Sequence, residues 1–111
     1  VRAAAAQLLG SMGGGNAIER LLALLRDRNP VVRVAALRAL AHLGHWPAAP
    51  KAASLLKDSS WQVRREAGLA LRRLGAPGLL MLRKALSSPD TYAAEMAQHV
   101  LDLPAPARGQ L

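Results

Sequence analysis

Residues 29–44 read NPVVRVAALRALAHLG. Asn29 is a residue type that caps the first free N–H groups of a helix, and Pro30, which has no N–H to satisfy, suits the first turn. Val32, Ala36, Ala39, Leu40 and Leu43 then fall on one helical face, and Gly44 supplies the left-handed residue that ends a helix. The stretch therefore predicts one short amphipathic helix with its own start and stop signals. It also has copies on both sides.

VRAAAAQLLGSMG begins at Val1, VRVAALRALAHLG at Val32 and VRREAGLALRRLG at Val63, a period of 31 residues. The intervening segments keep the same register: AIERLLALLRD ends at Asp27 and APKAASLLKD at Asp58, again 31 apart. A weaker fourth copy, YAAEMAQHVLDL, follows at a shift of 30 and sets Ala93, Ala97, Val100 and Leu101 against Val63, Ala67, Ala70 and Leu71. Each unit reads as two short helices. Gly15, Pro47 and Pro77 introduce the first helix, and its apolar residues recur as Ile18, Leu21, Leu22 and Leu25 do. The second follows a turn in which Asn29, Ser60 and Asp90 are equivalent caps. Small alanines at 36, 39, 67 and 70 allow close approach of helix axes. Seven helices are predicted, near residues 1–12, 16–26, 30–43, 47–57, 61–74, 77–87 and 91–103, with no strands.

Helical hairpins of this kind bury their apolar faces only against neighbouring hairpins, which makes the expected fold an all-α solenoid of about three and a half units. Composition agrees. The 111 residues are 51% hydrophobic but only 3% aromatic, with no Phe, so the core must be Leu, Ala and Val, which suits closely packed helices rather than sheets. The repeat domain is expected over 1–103. PAPARGQL, residues 104–111, has two prolines and no periodicity and reads as a flexible tail. Because the first residue is Val1, already on a second helix, the parent chain is expected to continue upstream.

Asp27 followed by VVRVAALRALAHLG, and Asp58 followed by QVRREAGLALRRLG, strongly resemble the short HEAT-like repeats named after the phycobilisome lyases. The resemblance spans nearly the whole chain and implies a right-handed α-solenoid. The fourth copy carries Ala93-Ala94 in place of Val-Arg and is closed by Pro104, as a terminal cap would be. The motif defines a repeat class and selects no function by itself.

Charge divides the arginines into two sets. Lys plus Arg number 15 against 7 Asp plus Glu, for a net +8, and 12 of the 15 are Arg, the side chain suited to planar contacts with carboxylates and phosphates. Arg33 and Arg64 hold the Arg position of the motif, six residues after Asp27 and Asp58. All four are assigned to the framework, the arginines bonding those aspartates or turn carbonyls. Arg38, Arg65, Arg72 and Arg73, with His42, project from the polar side of the second helices, which lines the inner surface in solenoids of this type. They are the candidate binding surface. Trp61 joins them as an aromatic that the other copies replace with Pro30 and Thr91; Trp46 stands in a loop.

Other chemistry finds little support. With no cysteine, thiolate metal sites and thiol nucleophiles are excluded. The histidines 42, 45 and 99 lie apart, and none is followed by Glu, the step through which the similar deoxyhypusine hydroxylases hold iron, so no metal or other cofactor is expected. GSMGGGN, residues 10–16, lacks the Lys-Ser/Thr and the preceding strand of a phosphate loop and reads as a turn between helices. Ser11 has no nearby His and Asp partner. No apolar run approaches the roughly 18 residues of a membrane span, and nothing in these residues resembles a signal peptide; a cytoplasmic location is expected, with any targeting segment left to the upstream part of the parent chain. The expected function is a noncatalytic scaffold that presents a basic surface to an acidic protein partner or segment. Nucleic-acid binding is the alternative, since some DNA glycosylases are built from similar repeats. A bilin lyase-like accessory role rests on the name of the repeat class alone.

Overall fold

A computed structural model of the chain describes residues 3, 4, 6 and 15–104. The predicted helix over 1–12, the glycine-rich turn (apart from its end at Gly15 and Asn16) and the tail beyond Pro104 lie outside those residues, except that positions 3, 4 and 6 are helical. Six α-helices follow: α1 (Gly15–Leu24), α2 (Pro30–His42), α3 (Ala49–Ser54), α4 (Trp61–Arg73), α5 (Ala76–Ala85) and α6 (Thr91–Leu101). No strand occurs among the described residues. Five of the six predicted spans agree with the observed helices to within two residues at either end.

The predicted helix over 47–57 is not continuous. A 3₁₀ turn (Trp46–Ala48) leads into the six residues of α3, and a second 3₁₀ turn (Leu55–Lys57) leads out. In a regular α-helix the Trp46 carbonyl would accept from residue 50, but Pro50 has no N–H. The Ala49 N–H takes that carbonyl instead, one residue earlier, and the tighter winding follows. At the far end the Asp58 N–H closes onto the Leu55 carbonyl at 3.1 Å, which turns the chain out at the aspartate.

The second helices begin as the repeat requires. Asn29 Oδ1 accepts the Val31 N–H, Ser60 Oγ accepts the Val63 N–H, and Asp90 Oδ1 accepts the Ala93 N–H. Three side chains of different chemistry thus meet one need, the unpaired N–H groups of a helix start. Gly44 and Gly75 both have positive φ, 66° and 75°; Gly75 pairs its φ with ψ −145°, a region essentially closed to residues with a Cβ.

The helices form two layers. First helices pack on first helices (α3 on α5) and second on second (α2 on α4, α4 on α6), while each hairpin also packs internally. Hydrophobic burial drives the stacking. Val32, Ala36, Ala39 and Leu40 of α2, Val63, Ala67, Ala70 and Leu71 of α4, and Ala93, Ala97 and Val100 of α6 are all buried. Leu43 and Leu101, at the ends of these stripes, are half-buried. The buried face of α2 is wider than the period requires, since Ala35, Leu37 and Ala41 are buried too.

Two glycines set how closely the helices cross. A Cβ on Gly78 of α5 would stand 1.7 Å from the Leu71 carbonyl oxygen of α4, and one on Gly68 of α4 would stand 2.6 Å from Val100 Cγ2 of α6. The first obstacle is backbone and cannot rotate away. Gly78→Ala is therefore expected to destabilise by about 1 to 3 kcal/mol, as overpacking does, although alanine is the better helix former by roughly 1 kcal/mol. Chemical denaturation of the two proteins tests this; a variant as stable as wild type would mean that α5 slides freely over α4.

Candidate binding groove and the arginine ladder

The turns between first and second helices are held by arginine. Arg33 Nη1 donates to the carbonyls of Asp27 (2.6 Å) and Arg28 (3.1 Å), closing its own turn. Its other edge faces the next repeat: Nη2 donates to Asp58 Oδ1 at 3.0 Å, and Nε lies 2.9 Å from Asp58 Oδ2. The Nε–H is not aligned for a hydrogen bond, so that second contact is ionic. The side chains are only 13% and 9% exposed, which leaves the pair little screened by solvent. Asp58 Oδ1 also accepts the Ser60 N–H at 2.8 Å, and Asp27 Oδ1 accepts the Asn29 N–H at 2.9 Å. Each aspartate thus bends its own turn, and Asp58 also anchors the arginine of the preceding repeat.

Arg64 repeats half of this pattern. Nη1 donates to the carbonyls of Asp58 (2.8 Å) and Ser59 (3.2 Å). In the fourth copy, however, Ser88 stands at the place of the aspartate, and its Oγ accepts the Asp90 N–H at 3.1 Å. Ser88 keeps the turn but offers no charge. The Arg64 guanidinium lies instead over the Tyr92 ring, 4.2 Å from its centroid, so a cation–π contact stands where an ion pair stands one repeat earlier. Arg64→Ala should cost about 1.5 to 3 kcal/mol through the lost charged hydrogen bonds, and Tyr92→Leu about 0.5 to 1 kcal/mol, the range for an exposed cation–π pair. If Tyr92→Leu lowers the melting temperature as much as Arg64→Ala does, the turn carbonyls add little to what the ring contributes.

The candidate surface residues separate into two places. Arg38, Trp61 and Arg65 line one groove of about 330 Å³ between α2 and α4, together with Val31, Val34 and Glu66. Arg38 Nε donates to Glu66 Oε1 at 2.9 Å. Arg65 is exposed, and among the described residues no hydrogen bond or ion pair engages it. His42 and Arg73 are exposed at the opposite ends of these helices; eight residues separate Arg65 from Arg73, about 12 Å along the axis. Arg72 has a different task from the one expected. Its Nη1 donates to the Val100 carbonyl (3.3 Å), which also accepts the Leu103 N–H, and its Nη2 to the Pro104 carbonyl (2.6 Å), so it holds the C-terminal end of α6, where a cation is favoured.

Val31 and Val34 escaped the sequence reading as groove residues, although a signal was present. Both are apolar yet lie off the stripe formed by Val32, Ala36 and Ala39. Val31 is 61% exposed and Trp61 56%, a pair of large apolar side chains left in solvent next to charged ones. His45 lies half-exposed in the loop after α2, and His99 is exposed on α6. Among the described residues no group of three or more His, Cys, Asp or Glu converges as metal ligands would, and no helix is long and apolar enough to cross a membrane.

Paired helices stacked at a regular period, with side chains cross-linking successive turns, define a helical-repeat solenoid. The HEAT-repeat family model matches residues 1–58 and 18–102, and the chain belongs to that family. HEAT repeats are generally noncatalytic scaffolds for protein–protein interaction. No curated protein is significantly similar to the chain.

Proposed function

We propose that this chain is a noncatalytic binding module whose site for an acidic protein partner is the groove between α2 and α4. The observation that carries the reading is the grouping of exposed Trp61 and Val31 with the unpaired Arg65 in one concave surface. Aromatic and arginine side chains are the types that most often anchor protein interfaces, and the net charge of +8 draws in an acidic partner at long range. The 31-residue unit and its Val-Arg step support the short, phycobilisome-lyase type of HEAT repeat.

Affinity capture with four baits tests the proposal: wild type, Trp61→Ala, Arg65→Glu and, as a control outside the groove, Trp46→Ala. The partner is a protein retained by wild type and Trp46→Ala and lost from both groove variants. Retention unchanged across all four would remove the groove from the interface.

The high arginine content also favours a second reading, binding to nucleic-acid phosphates. That reading requires generic duplex to bind at about 50 mM salt, with affinity falling steeply as salt rises. The groove reading predicts no such binding. Binding that is lost in an Arg65→Glu/Arg73→Glu double variant would put nucleic acid in place of the protein partner. Arg72 is kept in this variant because its guanidinium holds the end of α6.

A further inference from the structure

We infer that the groove takes its partner as an amphipathic acidic α-helix, laid across the starts of the second helices. The inference rests on the groove reading above and adds the conformation and chemistry of the bound segment.

Two exposed apolar residues mark the row. Val31 and Trp61 occupy the first turns of α2 and α4, are 61% and 56% exposed, and both line the groove, whereas Tyr92 at the start of α6 lies outside that lining and against the Arg64 guanidinium. α2 packs on α4, so the row crosses from one second helix to the next. Packed helices lie about 8 to 10 Å apart. Two turns of an α-helix, seven residues at 1.5 Å, advance about 10.5 Å. A helical partner with apolar residues at i, i+3 or i+4, and i+7 therefore sets one side chain against Val31 and Val34 and another beside Trp61.

The walls favour a helix over an extended strand. They are the side-chain surfaces of α2 and α4, whose backbones are bonded within their own helices, and the caps Asn29 and Ser60 already accept N–H groups of those first turns. Ser60 Oγ also donates to Gln62 Oε1. An extended segment would press its peptide groups against Val31, Val34 and Trp61 with few partners to receive them, which is costly, whereas a helix brings its own hydrogen bonds. Charge decides the occupant's sign. Arg38 is neutralised by Glu66, but Arg65 is unpaired, and the first turns of α2, α4 and α6 contain no acidic residue. An acidic polar edge on the incoming helix satisfies Arg65. A second copy of this chain, itself at +8, is repelled.

The test is selection from a random peptide library of about 16-residue members, long enough for four helical turns, displayed on phage against the full chain. Selected peptides are then synthesised and titrated by fluorescence anisotropy. The expected peptides are net acidic, carry apolar residues at i, i+3 or i+4, and i+7, gain helical circular dichroism on binding, and lose at least tenfold in affinity against both Trp61→Ala and Val31→Asp, with Trp46→Ala unchanged. Far-UV circular dichroism of each protein variant confirms that the stack is folded. Selected peptides that need Trp61 but are proline-rich, unstructured when bound or basic would overturn the helical acidic occupant and leave the groove as a protein site. If no selected peptide depends on Trp61 or Val31, both the inference and the groove reading fail.

Discussion

An Asp58→Ala variant is expected to lose about 3 to 5 kcal/mol of stability, the cost of leaving one member of a buried ion pair without its partner. Asp58 has two duties within one carboxylate. It accepts the Ser60 N–H that bends its own turn, and it receives Nη2 and Nε of Arg33 from the preceding repeat. With both side chains nearly out of solvent, water cannot replace the lost carboxylate at Arg33. Asp58→Asn keeps an acceptor for Ser60 while removing the charge, and should fall between alanine and wild type. Arg33→Ala removes the other member, and the double variant Arg33→Ala/Asp58→Ala should recover part of the loss because no uncompensated charge remains. Equilibrium urea unfolding of these proteins measures the coupling. If the effects of Arg33→Ala and Asp58→Ala simply add, the two residues do not act as a pair, and the contact between repeats rests on apolar packing alone.

Leu71→Ala and Leu40→Ala should each cost about 2 to 5 kcal/mol through the cavity they open. Leu71 is fully buried and Leu40 is 2% exposed, and they are the same position of successive second helices. Leu71 lies in α4, which packs against α2, α3, α5 and α6, so a void there touches several hairpins. A domain of this size is stable by only roughly 5 to 15 kcal/mol, and the upper end of the expected loss would unfold a large fraction of the chain. Leu71→Met, which conserves volume, should cost less than about 1.5 kcal/mol. Thermal melts report the difference, at about 4 °C or more per kcal/mol. If both alanine variants melt with wild type, the 31-residue register has placed the wrong face in the core.

Within the hairpins sequence alone was sufficient except over 47–57, where the expected helix is a six-residue α-helix between two 3₁₀ turns. Periodicity identifies which side of a helix is apolar, and caps and positive-φ glycines identify where it starts and stops; both are properties of residues a few positions apart. Hence α2 and α4 end within one residue of their expected limits, and Asn29, Ser60 and Asp90 cap as their shared position requires. Arg33 and Arg64 reach carbonyls five and six residues back, a distance still local enough to follow from the motif.

The tertiary structure decided what joins one hairpin to another. Arg33 pairs with an aspartate 25 positions away, and Arg72 reaches a carbonyl 32 positions away. No periodic pattern distinguishes Arg72, which holds the end of α6, from its neighbour Arg73, which is exposed, because one residue of rotation on a helix separates a side chain facing the next repeat from one facing water. The same geometry brings Arg38, Trp61 and Arg65 into a groove with Val31 and Val34 and leaves His42 at the far end. Gly68 and Gly78 look like weak points in helices until the approach of Val100 and of the Leu71 carbonyl gives each its reason. Stacking distance and side-chain reach between repeats are set by the packed whole, and a repeat read singly contains neither.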